Sequence, residues 1–354
     1  MEQTAKQELL SLTPEELEAW MESVGEPKYR ARQLFPQLHR GVRPDDMTNL
    51  GKKLQQKLND AFSWHLPTVE QKLVSAIDGT VKYLFALSDG NCVESVVMKY
   101  EHGNTICISS QVGCRMGCKF CASTIGGRVR DLTAAELLGQ VIAAQNDSGV
   151  RISNIVMMGI GEPLDNYDNV LRFLRLVNHP DGICIGYRHI SLSTCGLVDQ
   201  IARLAKEDLP ITLSISLHAP DDETRSAIMP INNRWGVDAL LTACRDYYAA
   251  TGRRISFEYT LISGKNDSTE QALRLARVLN SHLRTRTSSM PIHVNLIPVN
   301  EVAETGFQRS RKDAVLAFAK TLESKGIRAT VRRKLGADIN ASCGQLRRAH
   351  GKGE

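Results

Sequence analysis

From residue 105 onward, six short runs of β-branched and apolar residues recur, and each is followed by a stretch with the apolar spacing of an amphipathic helix. The runs are TICISS (105–110), NIVMMG (154–159), HISLST (189–194), ITLSISL (211–217), RISFEYTL (254–261) and PIHVNLI (291–297). DLTAAELLGQVIAAQ, DNVLRFLRLVN, VDQIARLAKE, VDALLTACRDYYAA and TEQALRLARVLNSHL separate them, and RKDAVLAFAKTLESKG follows the sixth. Near-continuous apolar strands alternating with helices imply a parallel sheet covered on its faces, and right-handed crossovers curl such a sheet toward a barrel. A closed barrel of this kind takes eight units. The fold expected is therefore α/β: a partial barrel of six strand-helix units with a wide mouth, ended by IRATVRR.

The amino-terminal part reads differently. In LTPEELEAWMESVG, Thr13 caps a helix, Pro14 suits its first turn and Glu16 completes a capping box. Further helices are expected over 28–39, where Pro36 kinks or ends the segment, and over 50–62. After Pro67 two extended runs, VKYLFAL and CVESVVMKY, suggest a small connecting sheet. The expected division is an accessory domain over 1–90, a core over 91–335 and a tail over 336–354.

Neither a basic, apolar leader nor an apolar run of about 18 residues is present, so a cytoplasmic protein without membrane contact is expected. Nine cysteines among 354 residues, an odd number, argue against a disulfide scaffold and for metal, redox or nucleophilic roles. Charge is uneven: residues 1–26 hold seven Glu against one Lys, 27–72 nine Lys/Arg against four acids, and 325–354 eight against two. The basic blocks suggest a polyanion surface, with Lys28, Arg30, Arg32, Lys52, Lys53, Lys57 and the carboxyl-terminal cluster as phosphate contacts and the acidic first helix turned away.

Parallel α/β folds collect their chemistry at the carboxyl ends of the strands. There the chain places QVGCRMGCKFC (111–121), GIGEP (159–163), Ser193-Thr194, Ser216-Leu217-His218 and Asn295. Cys114, Cys118 and Cys121, spaced C-x-x-x-C-x-x-C, supply three thiolates. Zinc, which takes four ligands at a structural site, stays open; a cubane iron-sulfur cluster held by three thiolates keeps one iron free for a ligand.

These segments carry a resemblance. ICISSQVGCRMGCKFCAST, MGIGEPLDN, LSTCG, SISLHAP, FEYTLISGKND, HVNLIP and DINASCGQL are similar to the RlmN/Cfr family of radical SAM RNA adenosine methyltransferases, over roughly residues 14–349. The resemblance implies a radical SAM barrel, a 4Fe-4S cluster on Cys114, Cys118 and Cys121, and S-adenosylmethionine cradled by Gly161, Glu162, Ser193, Ser216, Leu217, His218 and Asn295. It implies that Cys343 first accepts the methyl group, that Cys107 resolves the RNA adduct through a transient disulfide, and that Glu94 accepts the proton leaving the base. Taken alone, Glu94 reads as a surface acid and Cys343 as an ordinary thiol. Cys92, Cys184, Cys195 and Cys244 match no role and read as structural.

The implied substrates are carbon 2 of an adenosine in large-subunit rRNA and an adenosine in the tRNA anticodon arm, with a low-potential flavodoxin or ferredoxin as reductant and a monomeric enzyme. A carbon-8 activity of the Cfr type shares the same residues, but RVRDLTAAELLGQV and RRKLGADINASCGQL lie closer to the carbon-2 branch. A non-catalytic iron-sulfur protein that binds RNA or senses redox state is the alternative of another class.

Overall fold

One open sheet of ten strands organises the chain, as seen in a computed structural model that describes residues 6–285, 288–300, 305–341 and 346. Its strands are β1 (Thr68–Val74), β2 (Val81–Ala86), β3 (Cys92–Tyr100), β4 (Gly103–Cys107), β5 (Ile152–Met157), β6 (Ile190–Thr194), β7 (Thr212–Ser216), β8 (Ile255–Leu261), β9 (His293–Pro298) and β10 (Arg328–Val331). They lie side by side in sequence order. From β4 to β10 every pairing is parallel, whereas β1 to β4 form an antiparallel meander. The two edge strands do not pair with each other, so the barrel stays open.

Helices cover the outer face. The crossovers carry α4 (Ala134–Ser148), α5 (Tyr167–Asn178), α6 (Val198–Leu204), α7 (Asp222–Ile228), α8 (Val237–Thr251), α9 (Thr269–Leu283) and α10 (Lys312–Ser324), after the amino-terminal α1 (Pro14–Ser23), α2 (Tyr29–Leu38) and α3 (Lys52–Ala61). Both expected capping boxes form: Thr13 with Glu16 on α1 and Thr133 with Glu136 on α4. Glu16 does a second job, since its carboxylate takes both terminal nitrogens of Arg172 on α5 at 2.7 and 2.9 Å. That fork seats the amino-terminal helices on the barrel. The helix α2 runs through Pro36 instead of ending there, carried by the burial of Leu34, Phe35 and Leu38.

The strands are less uniformly apolar than the sequence suggests. Along β8, Ile255, Phe257, Tyr259 and Leu261 pack outward into the core, while Ser256, Glu258 and Thr260 are buried on the opposite face. The inner face continues sideways as a chain of hydrogen bonds: Ser191 to Ser214 at 3.0 Å, Ser256 to Glu258 at 3.0 Å, Ser256 to His293 at 3.1 Å and Asn295 to Glu258 at 2.7 Å. Buried polar groups need partners, and neighbouring strands supply them here. The barrel interior is thus a polar surface.

β1 is a strand the sequence pattern concealed. TVEQKLV is exposed at nearly every position and lies at the sheet edge, where charged side chains discourage pairing with other chains. Among the described residues, no helix is long and apolar enough to cross a membrane.

Candidate active site

At the carboxyl ends of the parallel strands, a cavity of about 210 Å³ gathers residues from across the sequence. Cys114, Cys118 and Cys121 line it, together with Gly161, Glu162, Ser193, Ser216 and His218. Phe120, between two of the cysteines, meets the ring of His218 edge-on at 5.0 Å.

Burial raises the Cys114 thiol to about 12 and pushes Cys118 up as well, with the neighbouring thiols adding to the effect at both. Cys114 and Cys118 therefore sit protonated, and a cation binding there must displace their protons. Among the described residues no three His, Cys, Asp or Glu side chains converge as a single metal ion requires. Three thiols lining one cavity would suit a cubane cluster, which takes one thiolate at each iron it is held by. The hydroxyl of Ser123, on the same wall, is buried without a partner and offers a donor to an occupant.

The loop after β5 is shaped by contact with the loop after β4. A Cβ on Gly159 would stand 2.5 Å from the Ile108 carbonyl oxygen, and one on Gly161, at φ +108°, would stand 2.7 Å from the Gln111 backbone nitrogen. Absent side chains let these two loops pass, a packing reason for the glycines that the sequence did not disclose. Gln111 accepts from the Glu162 backbone at 2.9 Å and fixes the turn. The Glu162 carboxylate accepts backbone N–H groups from Leu164 at 3.1 Å and Cys195 at 2.7 Å; burial raises its pKa while those bonds oppose the shift.

His218 holds a left-handed backbone, φ 59°. Its Nδ1 accepts from the Thr260 N–H at 2.9 Å, which leaves the proton on Nε2, and desolvation lowers its pKa to about 3. It is a neutral donor at physiological pH. Leu217 and Asn295 stand behind the cavity wall. Leu217 donates from its backbone to the Glu258 carbonyl at 3.1 Å, and Asn295 holds the Glu258 carboxylate. Glu258 itself lines the cavity, with a pKa raised by burial against the bonds from Asn295 and Ser256. Sequence reasoning chose Asn295 and missed Glu258, whose alternation with Phe257 and Tyr259 was the available signal.

Cys107 opens on a second cavity of about 190 Å³, walled by Val96, Met98 and Met158 and rimmed by Arg309, Arg332, Arg333 and Lys334. Met158, Ile297 and Arg332 line both cavities, so the two share a wall. Burial raises the Cys107 thiol pKa, with Arg332 pulling the other way. Glu94 is not a surface acid. It is 1 % exposed and pairs with Lys82, also 1 % exposed, at 3.0 Å. β3 is an interior strand of the sheet, and Lys82 on β2 supplies the buried partner the carboxylate needs. Lys82 also donates to the Asn340 carbonyl at 3.1 Å, tying this pair to the tail. Cys343 lies outside the described residues.

A sequence profile of the Radical SAM superfamily matches residues 108–276, and one for the ribosomal RNA large subunit methyltransferase N-terminal domain matches 7–63. A "probable dual-specificity RNA methyltransferase RlmN" of Clostridium novyi is 51% identical over 342 residues, covering 96% of this chain and 97% of the relative. The chain belongs to the RlmN family of radical SAM RNA methyltransferases. A second RlmN relative, from Alkaliphilus metalliredigens, is 50% identical over 98% of this chain and 96% of its own length. The crystal structure of a radical SAM methyltransferase from Sphaerobacter thermophilus superposes with a TM-score of 0.89 at 42% identity, covering 96% of this chain and 98% of that one. An RlmN fold accounts for the open barrel and for the amino-terminal helices seated upon it.

The remaining cysteines divide. Cys244 is buried and Cys184 exposed, whereas Cys195 lines the cavity of the three thiols and offers its backbone to Glu162. The charge expectation changes too. Lys28, Arg32 and Lys57 pair with Glu22, Glu18 and Glu26 at 3.1, 3.1 and 3.0 Å, so the acidic helix faces the basic block and partly neutralises it. Arg30 bonds Gln33 and the Asn49 carbonyl, while Lys52 and Lys53 remain exposed.

Proposed function

We propose that this enzyme methylates carbon 2 of an adenosine in the peptidyl-transferase loop of 23S rRNA and of an adenosine in the tRNA anticodon arm. The observation that carries the reading is the shared wall: the cavity of the three thiols and the cavity of Cys107 meet at Met158, Ile297 and Arg332. A cofactor in one and a base in the other would be neighbours. The names of the relatives support RNA as the substrate class.

In this reading Cys114, Cys118 and Cys121 hold a 4Fe-4S cluster, and Glu162, Ser193, Ser216 and His218, backed by Gly161, Leu217 and Asn295, hold S-adenosylmethionine. Together these cofactors, when bound, supply radical chemistry, which an electron-poor ring carbon flanked by two nitrogens requires. Cys343 carries the methyl carbon, which would give up one hydrogen atom to that radical chemistry as it bonds to the base and joins Cys343 to it. Glu94 takes the proton that leaves the ring. The Cys107 sulfur then gives up its proton and bonds to the Cys343 sulfur as the bond from Cys343 sulfur to the transferred carbon breaks and that carbon takes up a proton, leaving methylated RNA and a disulfide. Burial keeps Cys107 a protonated thiol in the absence of RNA, which guards against premature disulfide formation.

The target base must leave its stack to reach a cavity this enclosed, so loops are easier substrates than duplex. Arg309, Arg333 and Lys334 at the rim would take phosphates. The same reading gives residues 1–90 an RNA-binding role, makes 91–335 the radical SAM core and 336–354 the tail bearing Cys343, in a cytoplasmic monomer reduced by flavodoxin or ferredoxin.

Nucleoside digestion and mass spectrometry of rRNA and tRNA, from a host lacking this modification and supplied with the enzyme, test the proposal. 2-Methyladenosine in both RNAs is expected. 8-Methyladenosine would move the activity to carbon 8, and unmodified RNA, with Cys343 recovered unmethylated, would favour a non-catalytic iron-sulfur protein.

A further inference from the structure

Arg225, on α7, is 0% exposed and heads the fully buried side chains by volume. Its guanidinium donates to five oxygens: Leu217 carbonyl at 3.0 Å, Asn232 Oδ1 at 2.9 Å, Trp235 carbonyl at 3.5 Å, Cys195 carbonyl at 2.6 Å and Ser216 carbonyl at 3.2 Å. All five are neutral. The other fully buried cation, Lys82, has a carboxylate at 3.0 Å, but Arg225 enters no ion pair among the described residues. Asp222, on the same helix, spends its carboxylate on the Val237 N–H at 2.7 Å and the Asn232 amide at 3.0 Å. Burying a cation without an anion is costly, and hydrogen bonds to carbonyls compensate only in part.

The surroundings say where the anion belongs. Cys195 and Ser216, whose carbonyls Arg225 holds, line the cavity of the three thiols, as does Met229 one residue beyond α7. The loop bearing Cys118 rests on the same helix, through the Lys119 N–H to the Ile228 carbonyl at 2.9 Å.

We propose that Arg225 is the buried counter-charge of the iron-sulfur centre, a positioning residue whose field stabilises the reduced cluster while its five bonds hold the cofactor wall. The proposal rests on the reading of Cys114, Cys118 and Cys121 as cluster ligands. A cubane of net charge two plus on three thiolates is singly negative, and reduction makes it doubly negative. A fixed cation in a low-dielectric interior favours the second state. Because every Arg225 donor is already used, it acts through space rather than by touching the cofactor.

Redox titration of the reconstituted protein, followed by electron paramagnetic resonance, tests this alongside iron and sulfide analysis. Arg225→Met should load its cluster, since all three thiols remain, yet shift the reduction equilibrium toward the oxidised state by about tenfold, about 59 mV for a one-electron couple. Arg225→Lys, which keeps the charge but not the fork, should stay near the wild type. Asn232→Asp leaves Arg225 in place and gives it a carboxylate, so its shift should follow that of Arg225→Met even where the latter fails to fold. Wild-type potentials in a cluster-loaded Arg225→Met, or in Asn232→Asp, would overturn the proposal and leave the ligand reading standing. A wild type that takes up no cluster would sink that reading instead.

Discussion

Lys82 and Glu94 form the clearest residue-level commitment in the fold, an ion pair 1 % exposed at both ends. Breaking such a pair from one side strands a buried charge, which costs about 3–5 kcal/mol. Lys82→Met should therefore destabilise the enzyme by that order in urea unfolding, and Lys82→Met combined with Glu94→Gln should lose clearly less. Equal losses would mean that the pair is not coupled. Sequence reached Glu94 only through the family motif, because a lone acid in a strand is more often at the surface. Lys82 was illegible for the same reason: nothing local distinguishes a buried charge from a solvated one until the cross-strand neighbour is known, whereas Glu258 could have been read from its alternation with Phe257 and Tyr259. The three cysteines were legible because their spacing and strand-end position are themselves the chemical signal, whereas a role for His218 was reached only through the family motif.

At the scale of elements, strand order and the strand-helix rhythm could be read directly, since each parallel strand shows its outward apolar residues. The inner face could not. Serines such as Ser191, Ser193 and Ser214 alternate with large apolar residues inside runs that look continuously hydrophobic, and β1 shows no apolar pattern because it is an exposed edge. The loop after β5 gives the test at this scale. Gly159→Ala places a methyl against the Ile108 carbonyl, which is backbone and cannot swing aside. A loss of about 1–3 kcal/mol is expected, and S-adenosylmethionine affinity measured by calorimetry should fall with it because Glu162 rides on that loop. Unchanged affinity would show that the turn does not position the cofactor wall.

For the whole molecule, the seating of the amino-terminal helices on the barrel has a pH signature. His39, at the end of α2, accepts from the Ile183 N–H at 3.3 Å, and desolvation, with His179 adding to it, lowers its pKa to about 3. Folded His39 stays neutral below pH 6.5 while the unfolded chain takes up a proton, so its contribution is present above 6.5 and drains away as pH falls toward 3. The slope approaches about 1.4 kcal/mol per pH unit. Against His39→Gln, which does not titrate, the wild-type advantage should shrink at that rate from pH 6 to pH 4 in chemical unfolding; parallel curves would contradict this account of the junction. The proposed function depends on one chemical premise, that the three strand-end thiols assemble a cubane able to cleave S-adenosylmethionine. Anaerobic reconstitution tests it most directly: the wild type should hold about four irons and four sulfides and release 5′-deoxyadenosine with reductant and S-adenosylmethionine, and Cys118→Ala should do neither. A wild-type chain that binds no iron, or binds it and leaves S-adenosylmethionine intact, would contradict the account.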